Sequence, residues 1–235
     1  MLGDPYVFLV TAVFLIPAAL VAIPAHELGH GLAARWQGDR TARNRGYLSF
    51  NPRLFIEPYG LIAVFLAKVS WGQPVPVNEY RLKGVWGRVG YAVGGPAANL
   101  VVAAISGVAV RSLSQQGVGF DITTFVQTPL GYVAYILYAI FFLDLSMFAF
   151  NFLPIPGLDG WRVLEAIFRH RYARFFFDAS ARRREIWMIA VLVLFATSFI
   201  GVPLLASVML PLYAPASNAI LGQCIGYYGL SPCPG

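Results

Sequence analysis

Charge is the scarcest commodity in this chain. Asp, Glu, Lys and Arg together make up 12% of 235 residues, against 58% hydrophobic, whereas a soluble domain carries about a quarter charged residues. That shortage excludes an ordinary soluble globular fold and leaves a polytopic membrane protein. Cysteine is nearly absent, and both copies, Cys224 and Cys233, fall in the last dozen residues. So placed, they exclude a disulfide framework, and their distance from any histidine excludes a Cys-His zinc motif. Internal repeats and low-complexity linkers are also missing, so a single integral domain over residues 1–235 is expected. Acid is scarcer than base, with a net charge of +6. In a chain this apolar the excess reads as loop Lys and Arg on the cytoplasmic side, and no nucleic-acid partner is expected. The start, Met1-Leu2-Gly3-Asp4, holds no Lys or Arg, and the apolar run from Tyr6 to Ala34 is too long for the core of a signal peptide. The first segment is therefore expected to be retained.

A spanning helix needs about 20 mostly apolar residues. Residues 6–34, 89–110, 129–153 and 186–210 meet that need. A fifth apolar stretch, 54–69, is shorter and is hemmed by Pro58, Gly60, Pro74 and Pro76. Arg35, Arg40, Arg43, Arg45 and Arg53 precede it, and Arg81, Lys83 and Arg88 follow it. If it crossed, two basic loops would lie on opposite faces; if residues 54–78 dip in and return, both are cytoplasmic. Counting on, Arg162 through Arg184 are cytoplasmic too, and of 17 Lys and Arg only Arg111 is external. That asymmetry fixes the reading. The expected fold is an all-α polytopic membrane protein with about four transmembrane helices and a re-entrant or β-loop element between the first and second spans. Both termini lie outside the cell membrane, and a tail outside allows either a Cys224–Cys233 disulfide or two free thiols. Residues 160–184 mix apolar side chains with seven arginines, as a helix lying in the inner interface would.

One group of polar residues sits inside this apolar frame. His26 and His30 are four apart, so on a helix they share a face with Cβ atoms roughly 5–6 Å apart. Two imidazoles so placed converge on one Zn²⁺, and Glu27 between them stands beside the water that such a zinc activates, as a general base. The setting makes the pattern telling, because His and Glu are costly within hydrocarbon. Pro24 removes a backbone hydrogen bond one turn earlier, where water must enter. A catalytic zinc site takes three protein ligands and one open position. Two residues compete for the third place. His170 lies in Arg169-His170-Arg171, a basic run that reads as exposed. Asp159, in Asn151-Phe152-Leu153-Pro154-Ile155-Pro156-Gly157-Leu158-Asp159-Gly160, lies at the inner end of the third span with His30, and by spacing it also suits a helix N-cap.

In order along the chain, HELGH (26–30), NPRLFIEPYG (51–60), WGQPVPVN (71–78), GGPAAN (94–99) and NFLPIPGLDG (151–160) resemble the site-2 protease family of intramembrane zinc metalloproteases, peptidase M50, of the short type without a PDZ domain. The resemblance covers most of the chain from His26 to Leu164. It implies zinc held by His26, His30 and Asp159, with Glu27 as base, and Asn99 and Asn151 against the substrate backbone or scissile carbonyl. It also implies a three-helix core running down, up, down, and a membrane-dipping loop at 71–78 that holds unwound substrate as an added strand. Relatives of the short type usually read Asn-Pro-x-x-His-x-Asp-Pro where this chain has Phe55 and Glu57, so any auxiliary role of that histidine is absent. Asp144 stands where relatives often carry Asn, and reads as a hydrogen bond to a neighbouring helix. Gly90 and Gly94, with Gly87, Gly95, Ala97 and Ala98, give the second span a small-residue face that reads as bundle packing and is compatible with a homodimer.

The function read from these residues is hydrolysis of a peptide bond within or near a transmembrane segment of another membrane protein, close to the cytoplasmic side. Two rivals are a zinc transporter, for which polar residues along several spans and a second site are expected, and a non-catalytic relative that binds membrane helices, for which loss of Glu27 or a ligand is expected.

Overall fold

Within hydrocarbon a helix satisfies its own backbone, so long apolar runs fold as long helices even where proline interrupts them. The computed structural model describes residues 5–119 and 125–222. Its first helix, α1 (Pro5–Trp36), runs unbroken through Pro17 and Pro24. There follow α2 (Thr41–Asn44), α3 (Pro58–Ala67), α4 (Gly84–Gln115), α5 (Pro129–Asn151), α6 (Asp159–Phe168), α7 (Ala173–Ala181), α8 (Arg183–Phe199) and α9 (Leu204–Leu221). Four stretches are long and apolar enough to cross a membrane: Leu9–Trp36, Gly84–Gln115, Pro129–Asn151 and Leu204–Leu221. Among the described residues there is no strand, only isolated bridges at Ile56–Gly72 and Pro156–Leu158. The chain is an all-α, multi-pass membrane protein. Cys224 and Cys233 lie outside the described residues.

Helices α1, α4 and α5 form the core, and their contacts fix their directions. Gly29 of α1 packs on Gly94 of α4, and further along Asn99 Nδ2 donates to the Ala22 carbonyl at 3.0 Å. Those two helices are therefore antiparallel. Asn99 also meets Asp144 while Gly107 meets Phe141, so α5 is antiparallel to α4. The three core helices therefore alternate in direction. A Cβ on Gly29 would collide with the Gly94 carbonyl, so close approach requires both glycines. Gly90, by contrast, meets nothing within 4 Å, and the contact surface is built on Gly94 and Gly95 instead of a Gly90–Gly94 pair. Phe141, Leu145 and Phe150 of α5 are fully buried, with Met209 and Tyr213 of α9 in the same cluster. Facing outward, Leu9, Val13 and Ile16 on α1 and Val101, Ile105 and Val108 on α4 are exposed. Their helical spacing makes apolar stripes for lipid tails to cover.

Three segments differ in detail from their sequence reading. The apolar stretch 186–210 is not one helix: Gly201, at φ +81°, and Pro203 end α8 and begin α9. Trp187, near the start of α8, packs on Gly157 and Trp71. The Gly222 cap of α9 lies against Arg111, at the other end of α4. The fourth helix long and apolar enough to cross is thus α9, nearer the C-terminus. Residues 160–184 form two short helices, α6 and α7, broken at 169–172, instead of one. The 54–78 element is a hairpin in outline. Glu57 caps α3 by accepting from the Gly60 amide, and Lys68, at φ +57°, closes it. Ten residues make roughly 15 Å of helix, about half the thickness of a bilayer core. The chain then returns to its start, where Gln73 N donates to the Phe55 carbonyl at 2.7 Å. Phe55 is fully buried beneath this hairpin.

Candidate metal centre

His26 and His30, one turn apart on α1, bring their Nε2 atoms to 3.1 Å from each other, and each lies 3.1 Å from Oδ2 of Asp159. These three buried residues come from the first span and from the first turn of α6. Asp159 is not the N-cap of α6; that position is Leu158, which makes no side-chain cap bond. The carboxylate is thereby left to turn inward, at a helix end that favours negative charge. His170 is exposed and stands apart from the group.

The outer partners of the two rings decide what the centre can hold. Asn99 uses Nδ2 to donate to Ala22 O and to Asp144 Oδ1, at 3.0 and 2.7 Å. Its Oδ1 is therefore the acceptor for His26 Nδ1–H at 2.7 Å. His30 Nδ1–H donates to the Tyr91 carbonyl at 2.8 Å. With both Nδ1 atoms spent as donors, both Nε2 lone pairs point at the same place as the Asp159 oxygen. Three acceptors so close repel unless a cation lies among them. Ligand atoms roughly 2.0–2.2 Å from a tetrahedral zinc are themselves about 3.3–3.6 Å apart, close to the separations seen. The space these atoms face is kept open by Gly95 of α4: a Cβ there would collide with His30 Nε2 and lie 2.8 Å from His26 Nε2. The donor set fits zinc.

Asn99, assigned to substrate by the resemblance, is fully buried with every polar group engaged behind His26. What it holds is the His26 ring. Asp144, fully buried, supplies the acceptor that fixes the Asn99 amide, so its hydrogen bond joins α5 to α4. Asn151 differs from Asn99: it lines the cavity and spends one Nδ2 hydrogen on the Met147 carbonyl at 3.0 Å. Glu27 also faces the cavity, and its Oε2 accepts from the Val75 amide at 2.8 Å. Reasoning from sequence missed Gly95, which reads as one more small residue in a packing face. It also missed the work of Glu57, which accepts from the Trp71 indole at 3.0 Å as well as capping α3. Glu57 thus steadies the loop beside the site.

A second carboxylate clamps the far end of that loop. Asp39 Oδ2 accepts from the Asn78 amide at 2.7 Å, and Oδ1 accepts from the Thr41 amide and hydroxyl at 3.0 and 2.6 Å. Burial disfavours its charge, but the bonds from the Thr41 hydroxyl, the Asn78 amide and the Thr41 amide, with Arg81 nearby, outweigh burial and hold the carboxyl below its usual range. Because the folded value lies below the unfolded one, this clamp is complete above about pH 4 and is lost as pH falls through the folded value. Hydrogen exchange over 71–83, corrected for intrinsic rates, is expected to lose protection only in that acid window. Asp39→Ala is expected to lose the same protection at neutral pH, at a cost of about 1–3 kcal/mol. Unchanged protection in the variant would remove the clamp from the account.

Two histidines a turn apart and a carboxylate from a distant helix form a group that could bind a metal, with a glutamate beside them, here set in a helical membrane bundle. The family model described as Peptidase family M50 matches residues 14–197, and the chain belongs to that family. Among relatives, it is 32% identical over 157 residues to "Putative zinc metalloprotease YwhC" of Bacillus subtilis (strain 168), covering 65% of this chain and 68% of that protein. It is also 32% identical over 199 residues to "Putative zinc metalloprotease Rip2" of Mycobacterium tuberculosis (strain ATCC 25618 / H37Rv), covering 82% of this chain and 70% of the relative. No solved structure matches the chain.

Proposed function

We propose that this zinc metalloprotease works inside the membrane, cleaving a peptide bond within or near a transmembrane segment of another membrane protein. The observation that carries this reading is the burial of the centre within an apolar helix long enough to cross a membrane. His26, Glu27 and His30 lie within a crossing helix, at 3–6% exposure, and a cavity of about 650 Å³ leads to them. A soluble substrate has no need of such a site; a membrane segment does. Residues 54–78 are the re-entrant element of the reading. The basic loops support a centre near the cytoplasmic side, with both termini external, because they gather at the end of the bundle where the centre lies and Arg111 alone marks the other.

His26, His30 and Asp159 would hold the zinc, with His26 kept in one tautomer by Asn99. When bound, the metal supplies Lewis acidity that polarises the scissile carbonyl and makes a water nucleophilic near neutral pH. Glu27 takes the proton of the attacking water and returns it to the leaving nitrogen. Asn151, with an amide hydrogen to spare on the cavity wall, meets the substrate backbone. A transmembrane helix hides its peptide bonds, so the substrate must unwind first, and the loop at 71–78 holds it extended. The purified protein, reconstituted with a membrane-spanning substrate, is expected to cut within or beside the apolar segment, to lose cleavage on chelation and to recover it with added zinc. Cuts mapped by mass spectrometry only to a distant soluble region, or cleavage indifferent to chelation, would overturn this reading.

A further inference from the structure

The cavity that reaches the metal centre changes character towards its mouth. Inside, it is walled by Trp71, Trp161, Trp187 and the site itself; outside, it is lined by Arg88 of α4, Arg162 and Arg169 of α6, and Arg183 and Arg184 of α8, against only Glu79 and Glu165. Two of these arginines are occupied. Arg162 lies 3.4 Å from Asp159 Oδ1, and Arg169 lies 3.4 Å from Glu165. Arg88, Arg183 and Arg184 are exposed and pair with no described carboxylate. Unpaired guanidinium groups from two separate helices therefore face one concavity with aromatic walls, and give its mouth an excess of positive charge over Glu79 and Glu165.

Building on the protease reading, we propose that this mouth selects substrates whose flank next to the cleaved segment carries Asp or Glu. A chain with one peptide bond at Glu27 must continue along the cavity, and its next residues meet the arginines. Carboxylates match the guanidinium fork in geometry as well as in charge. The same charges work by exclusion: the inner flanks of membrane proteins are ordinarily rich in Lys and Arg, and such a flank is repelled here. A lipid phosphate shares the charge but not the placement, since these arginines line a cavity continuous with the centre.

The test uses the full-length protein in phosphatidylcholine vesicles and two membrane-spanning substrates that differ only in four flanking residues, acidic in one and basic in the other. The acidic substrate is expected to be preferred in kcat/KM by roughly tenfold, and less so at high salt. The pair Arg183→Glu and Arg184→Glu is expected to invert that ratio, a change that misfolding does not produce. A ratio near one, a ratio untouched by the charge reversal, or a preference seen only in vesicles of anionic lipid would overturn the proposal. Binding of the same two substrates to Glu27→Gln protein reads the preference without turnover. Absence of cleavage with the preference intact in binding would sink the protease reading alone; absence of the preference in binding would sink this one.

Discussion

Glu27→Gln is expected to slow cleavage by about 10²–10⁴-fold while leaving zinc content and thermal stability as they are. The substitution keeps the side chain's shape and keeps an oxygen that can accept from the Val75 amide, the 2.8 Å bond made by the carboxylate. It removes only the capacity to take a proton. None of the three ligand atoms belongs to Glu27, so the histidine pair and Asp159 stay in place. Initial rates on a reconstituted substrate, set beside metal content by atomic spectroscopy, separate the two effects. Equal rates for the two proteins would dismiss Glu27 as the base. Loss of zinc together with rate would make it part of the metal's support instead.

Gly95→Ala is expected to be as damaging by a different route, emptying the centre of zinc although every ligand remains. The added methyl would collide with His30 Nε2 and stand 2.8 Å from both Nε2 and Cε1 of His26. Neither partner has room to withdraw. Helix α4 is pressed against α1 at Gly29 and Gly94, and each ring is held from behind, His26 by Asn99 and His30 by the Tyr91 carbonyl. Loss of metal and of activity is the expected result, at least about the 10–100-fold in affinity that weaker disturbances around a metal's ligands produce. Gly90→Ala is the control: its Cβ meets nothing within 4 Å, and zinc should be retained. Full zinc occupancy in the Gly95 variant would show that the space the three ligands face is not where the metal sits.

Much of this was legible from residue type and spacing alone. An acid between two histidines is conspicuous in hydrocarbon because the surroundings penalise it, and the arginine asymmetry orders the loops without any coordinates. Residues 186–210 read as one span although they belong to two helices, because apolarity does not stop at 210. Composition is uniform there, and the break at Gly201–Pro203 is a matter of backbone, while Pro211 and Pro215 lie inside a helix that tolerates them. What Asn99 bonds to is not legible in the sequence for a simpler reason. An amide offers both donor and acceptor, and only the positions of Ala22, Asp144 and His26 around it decide which way each end faces. Gly95 was hidden among its small neighbours, since what singles it out is the pair of rings across the helix interface.

The run from Gln73 to Pro76 has a chemical one-sidedness that bears on how a substrate docks. The Gln73 amide is spent on Phe55, the Val75 amide on Glu27, and Pro74 and Pro76 have none to give. The backbone of this rim offers hydrogen-bond acceptors and no free donors. A visiting chain must supply every N–H of the pairing itself, so a proline or N-methyl group at a docking position leaves nothing for the rim to grip. For the same reason the rim cannot zip to another copy of itself, since two rows of carbonyls have nothing to exchange.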